Sequence, residues 1–447
     1  MALRACVLRA GDDGVDKGER MLSLSNLRWR LRTMLREIWV RVTAFGVLGI
    51  LTALGSAWFG HMIPDEVGLK MGADSVEPIL TIMATAMLTA TTFSLQIMIT
   101  AFGSAQTSAT PRAIKLMQTD RITQNVLASF IGSFVFALVG IIALQTQIYG
   151  ASGRFLLLVV TIGVVAIVVV SLLRWVQHLS EFGRLGDVIS RVEDSAANAL
   201  ENRCADPYLG ARPWEAPPSG VWPVKSRRTG NVQHVDISQL QEIAQAHDCR
   251  IWLCAPPGNF VHPAADLVVC DGLPVDAQMR AQMEDAILDG FAVDHARDFE
   301  QDPQFGLIAL AEIASRALSP AVNDPGTGID ILGRLTRVLA SWDPASEFEL
   351  RHDRIYAHSI PPEQLIEDAF SAISRDGAGL FEVALRLQVV LGALAQMSPE
   401  QFAKPAARQA LRAALQSEEA LPLAENRARI TAAAATLAKE VGVSQPI

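Results

Sequence analysis

Thr81, Thr85, Thr89 and Thr92 recur at intervals of four, four and three, and Gln96 follows one turn later. At helical spacing these side chains share one face. They lie in an uncharged stretch, Pro78 to Phe102, that also holds Thr91, Ser94 and Thr100. A hydroxyl and amide face gains nothing from lipid, so it should look at protein or water. Two chemistries fit. One is helix packing, in which hydroxyl side chains permit close approach and bond back to their own carbonyls. The other is the lining of a permeation path in an oligomer. No sequence like a known selectivity filter accompanies the face. No acid or base sits deep in any apolar stretch, which argues against a proton relay.

A second cluster is the turn SPAVNDPGTG, where Ser319, Asn323, Asp324, Thr327 and Asp330 concentrate polar groups around two prolines. Its simplest work is capping, with Asn323 and Asp324 satisfying orphan amides at the start of a helix. An anion or metal site built from Asp324, Asp330 and backbone amides is the alternative. Arg112, Lys115 and Arg121 form a third set, placed to meet lipid head groups or simply to anchor a loop by charge. His247, Cys249, Cys254 and His262 resemble a zinc set in type, but their spacing fits no standard finger, and no metal or cofactor is expected. No nucleophile elbow, phosphate loop, HExxH or carboxylate pair appears, so no catalytic residue is assigned and an enzyme is not expected.

The elements that must carry these residues are dominated by apolar runs. The chain has 447 residues, 50% of them hydrophobic and 19% charged, with a mean hydropathy of +0.26. Soluble domains are nearer a quarter charged. Four stretches have the length and composition of membrane spans: Ile38–Met62, Val76–Phe102, Asn125–Ile148 and Phe155–Trp175. Arg28, Arg30, Arg32, Arg36 and Arg41 precede or open the first, Arg112, Lys115 and Arg121 separate the second from the third, and Arg174 and Arg184 close the fourth. The opposite loops are acidic or carry one arginine, so both termini are expected on the cytoplasmic side, with the chain multi-pass in the bilayer. The net charge of −9 and the acidic stretch from Asp276 to Asp302 exclude a basic surface for nucleic acid. Five cysteines without a framework spacing read as reduced thiols.

The fold class expected is mainly α: a four-helix transmembrane domain followed by an α+β cytoplasmic domain. Residues 1–36 read as a basic leader and 37–178 as the transmembrane domain. Residues 179–220 read as an amphipathic helical extension of the fourth span, with a proline-rich linker from Arg203 to Gly220. A small α/β unit follows at 221–273, in which NVQHVDI and IWLCA alternate as strands and Ser238 with Gln241 forms a capping box. Residues 274–447 read as mainly helical.

Two blocks resemble the bacterial DUF2254 family of predicted membrane proteins. The first is the stretch with Pro111-Arg112, Asp120-Arg121 and Gln124. The second joins Asp302-Pro303-x-Phe305-Gly306 to Arg316-Ala317-Leu318-Ser319-Pro320 and Asn323-Asp324-Pro325. The likeness covers about residue 35 to 400. Thr110 stands where the family usually has serine, and Phe299-Glu300 where it has an Arg-Thr pair. The resemblance implies the layout and carries no chemistry. The residues themselves point to a homo-oligomeric, channel-like or transport-related protein of the bacterial inner membrane with a cytoplasmic regulatory domain, its expected partners being the lipid bilayer and further copies of itself, with no nucleic acid. A membrane-anchored sensor or scaffold, binding a ligand or protein through its cytoplasmic domain, is the other reading.

Overall fold

The computed structural model describes residues 76–444 apart from 109, 119, 147–150, 180–182, 273–275 and 345–346, together with scattered positions between 40 and 55. The leader and most of the first expected span fall outside these residues; the described positions of that span are helical. Among the described residues three helices, rather than the four expected, are long and apolar enough to cross a membrane: Val76–Ser104, Ile122–Gln145 and Arg154–Leu179. The chain forms two compact units, Met1–Ala101 with Thr119–Phe182 and Phe102–Gln118 with Gly183–Ile447.

The span unit is built on helices α1 (Val76–Ser108), α3 (Arg121–Gln145) and α4 (Ala151–Leu179), with the short α2 (Pro111–Gln118) between the first two. α1 ends ahead of Thr110-Pro111, as a proline's restriction on its predecessor dictates, and Pro111 then opens α2 at the one helical position where a missing amide costs nothing. Leu80, Met83 and Met87 of α1, Phe130 and Phe136 of α3, and Leu157 and Val164 of α4 make its core. The last turns of α1 and all of α2 belong to the large unit.

The large unit opens with α5 (Leu185–Ala205), whose Val188, Ile189, Val192, Ala196 and Leu200 are buried at helical spacing. This amphipathic helix is not a continuation of α4, as the sequence had suggested. Gly183, at φ +79, takes a left-handed conformation that an α-helix cannot contain. The proline-rich linker is also more ordered than expected, because Ala211–Pro213 forms strand β1. Then come β2 (Trp222–Lys225), β3 (Gly230–Val235), α6 (Ile237–Ala246), β4 (Arg250–Leu253), β5 (Phe260–Val261), β6 (Asp266–Asp271), α7 (Ala277–Asp289) and β7 (Phe291–Asp294). The cap of α6 is Asp236, which accepts the Gln239 amide at 3.0 Å, in place of the Ser238 box.

Two long helices, α8 (Pro303–Ala317) and α9 (Pro325–Ala340), precede strand β8 (His352–Ala357), and α10 (Pro362–Asp376), α11 (Phe381–Met397), α12 (Pro399–Ala420) and α13 (Ala424–Val441) complete the unit. One sheet has the order β1-β8-β4-β6-β2, with β8 parallel to both of its neighbours, and the other is the antiparallel β5-β3-β7. The α+β region therefore draws strands from outside 221–273. Val232, Leu240, Ile251, Leu253, Val268 and Ile355 fill its core. In the helical part, Gly306 lets α8 approach α5 so closely that a Cβ there would stand 2.4 Å from that of Ala196.

Candidate functional site

The five polar residues singled out on α1 lie on one exposed face, while Leu80, Met83, Ala84 and Met87 pack inward. Each threonine hydroxyl donates to the carbonyl four residues back: Thr81 to Glu77 at 2.9 Å, Thr85 to Thr81 at 3.0 Å, Thr89 to Thr85 at 2.9 Å and Thr92 to Leu88 at 2.8 Å. The donors are thus spent within the helix, and what faces outward is a row of methyl groups and acceptor lone pairs. Gln96 differs. Its side chain is exposed and makes no hydrogen bond among the described residues. An amide left unpaired in hydrocarbon costs several kcal/mol, so this exposed position on α1 requires a polar neighbour.

At the start of α3, Asp120 is buried and accepts from the Thr123 amide at 2.8 Å and its hydroxyl at 2.5 Å. His178, in the last turn of α4, reaches the same carboxylate with Nε2 at 3.0 Å. The Asp120 of the resembling block therefore ties two spans together at one end of the unit.

Arg112 pairs with Glu312 of α8, which fastens α2 to the helical part of the large unit. That use differs from the head-group contact considered for it; the side chains of Lys115 and Arg121 lie outside the described residues.

In the SPAVNDPGTG turn, Asp324 caps α9. It accepts from the Thr327 amide at 3.1 Å and the Thr327 hydroxyl at 2.6 Å, while its own amide bonds Ala317. These bonds hold its carboxyl below the usual range. Ser319 donates to the Arg316 carbonyl at 2.7 Å, and Asn323 turns the chain in the left-handed region at φ +50. Asp330 points elsewhere, to Arg334 at 2.7 Å, and Arg334 also holds Glu193 of α5. The five residues do not converge, and the capping role is the one their geometry performs.

Cys249 and Cys270 sit in the core of the α+β region, where burial pushes both thiols up, Cys249 to about 11. Such thiols stay protonated and inert. Among the described residues no three His, Cys, Asp or Glu side chains gather at a metal-binding distance.

A constellation missed in the sequence surrounds Asp302, which is 1% exposed. Arg297 grips its carboxylate with two bonds, Nε at 2.6 Å and Nη2 at 2.8 Å, and the same carboxylate caps α8 through the Phe305 amide at 3.2 Å. Arg203 of α5, 5% exposed, donates to the Gln301 carbonyl at 3.2 Å. Burial lowers the Arg203 guanidinium to about 10, against the pull of Asp206 and Asp302. Burial raises Asp302, against Arg297, and raises Asp368 of α10 to about 6 despite the Gln304 amide that donates to it at 2.7 Å. Only Asp302 itself was legible beforehand. Arg203 and Arg297 lie in unremarkable stretches, and their burial is set by packing between distant segments.

Residues 36–393 match the DUF2254 family, described as predicted membrane proteins. The chain belongs to that family. An uncharacterized protein of Mycobacterium bovis is 26% identical to it over 322 residues, which is 67% of this chain and 59% of that protein. An uncharacterized protein of Mycobacterium tuberculosis shows the same identity and coverage. The chain thus spans 59% of the length of these curated relatives. No solved structure matches it. In this DUF2254 chain the two Asp-Pro motifs now have physical readings. Both aspartates cap helices that begin with proline, but Asp302 does so buried beneath a guanidinium, whereas Asp324 does so at a half-open turn.

Proposed function

We propose that the protein is a homo-oligomeric, channel-like protein of the bacterial inner membrane. Its α1 face borders a polar path, and the large unit, on the cytoplasmic side with both termini, regulates it. One observation carries this reading: Gln96, unpartnered and exposed, continues the row Thr81, Thr85, Thr89 and Thr92 on a helix whose opposite side is packed. Lipid cannot satisfy the amide, and a second copy or water can. A row of acceptor oxygens with satisfied donors offers weak, repeated coordination to a permeant, which suits passage better than capture. Regulation has a direct route, because α1 runs on into the large unit and α2 is fastened there by Arg112 and Glu312.

The test is ion flux in liposomes of defined lipid composition, with and without membrane tension, alongside the mass of the particle in native nanodiscs. Flux above protein-free vesicles that falls in Gln96→Leu supports the reading. A monomeric particle with no flux contradicts it.

A further inference from the structure

The large unit contains a cavity of about 60 Å³ between α10 and α12 that no part of the proposed function uses. Its walls are Glu363, Ile366 and Glu367 of α10 and Pro405, Arg408, Gln409 and Arg412 of α12. The α12 residues stand at i, i+3, i+4 and i+7, so they form one stripe facing the three from α10.

Two of these groups lack what they need. Gln409 is 6% exposed, and its Nε2 is buried with no hydrogen-bond acceptor. Buried amide donors are nearly always bonded, and Gln409 is a residue of the cavity wall whose amide lacks its acceptor. Arg408 is half-buried and has no carboxylate or other hydrogen-bond partner among the described residues. Its neighbour Arg412 has only a loose pairing with Glu367, at 3.7 Å, beyond hydrogen-bonding reach. Glu367 is 64% exposed and Glu363 is also exposed, while among the donors Gln409 is buried, Arg408 half-buried and Arg412 at the open edge, 45% exposed.

We propose that this cavity binds the oxyanion head, phosphoryl or carboxylate, of a small soluble ligand, with Arg408, Arg412 and the Gln409 amide as donors. Guanidinium groups suit such heads because they offer paired, charge-assisted bonds. A volume of about 60 Å³ leaves room for one head group. The rest of the ligand has a place to go. A groove of about 730 Å³ adjoins the cavity, sharing Glu363 and Pro405 with it. It carries Glu363, Glu400 and Glu440 against Lys404, so it favours an uncharged or cationic body over a second anion. The site is independent of the α1 face, and its failure would leave the proposed function untouched.

Full-length protein in phosphatidylcholine nanodiscs, in phosphate-free buffer, would be dialysed against radiolabelled inorganic phosphate, with acetate as competitor. The structure predicts saturable binding, one anion per chain. Displacement by acetate indicates a carboxylate head, and its absence a phosphoryl head. Nanodiscs containing phosphatidylglycerol should bind phosphate equally well; if this lipid instead blocks binding, the head comes from lipid and the soluble ligand is refuted. Arg408→Gln and Arg412→Gln should each weaken binding about tenfold or more. Gln409→Leu should abolish binding yet raise the midpoint of thermal unfolding, because it removes a buried unpaired amide. That combination separates a ligand role from a structural one. No saturable binding of phosphate up to about 10 mM, or binding unchanged in Arg408→Gln and Gln409→Leu, would overturn the proposal.

Discussion

Asp368→Asn should make the large unit more stable at neutral pH, although it removes a charge that lies beside an arginine. Asp368 is held at about 6 rather than 3.8, chiefly by burial, which outweighs the Gln304 amide and the Arg297 charge. A folded-state carboxyl raised above its unfolded value binds its proton more tightly in the native protein. Stability therefore falls as pH rises from 3.8 through about 6, and at pH 7.5 the full penalty of the ionised form is present. The difference corresponds to about 3 kcal/mol, which solvent at the open side of the carboxyl reduces to between about 1 and 3. Asparagine keeps an oxygen for the Gln304 amide to bond and carries no charge to desolvate. Urea unfolding of the full chain in detergent, followed by tryptophan fluorescence at pH 7.5 and pH 4, measures the effect. The variant should gain at pH 7.5 and match the parent at pH 4. A loss at pH 7.5, or a gain of equal size at both values, would show that burial does not dominate at this carboxyl.

Asp302→Ala should destabilise by about 3–5 kcal/mol in the same assay, because it removes the cap of α8 together with both bonds from Arg297 and leaves the buried Arg203 facing no carboxylate there. Asp324→Ala should cost about 1 kcal/mol at pH 7 through the lost cap of α9. Its carboxyl lies below the ordinary value, so the stability it contributes is present above 3.8 and vanishes as pH falls through the folded value; the variant and parent should converge in acid. Gly306→Ala should destabilise by about 1–3 kcal/mol through the overlap with Ala196, and adding Ala196→Gly should recover part of the loss, measured as a double-mutant cycle.

What was legible in the sequence follows the range over which each feature is determined. The threonine row was visible because a helix repeats within a few residues, and the Asp-Pro starts of α8 and α9 were visible because capping is local. Strand β1 was hidden in a proline-rich linker because three residues become a strand only by pairing with β8, where Ala211 meets His352. The α6 cap was misplaced by two residues because Asp236 and Ser238 are both good caps, and the position of Phe291 opposite Val235 fixes where the strand ends and the helix begins. Arg203, Arg297, Arg408 and Gln409 carried no signal at all. A surface arginine and a buried one have the same letter, and packing between segments far apart in the chain decides which is which.

The central claim, that α1 turns its polar face toward another copy and a watery path, is tested most directly by cysteine substitution in a cysteine-free background. Thr85→Cys, Thr89→Cys, Thr92→Cys and Gln96→Cys would be compared in membranes with Val169→Cys and Leu173→Cys, which lie exposed on α4. Oxidative cross-linking between copies and reaction with a charged, membrane-impermeant thiol reagent would be read for each. The account predicts that the α1 positions cross-link into dimers or higher forms and react with the reagent, while the α4 positions do neither. Equal reactivity at both sets, or no cross-linking along α1, would contradict it.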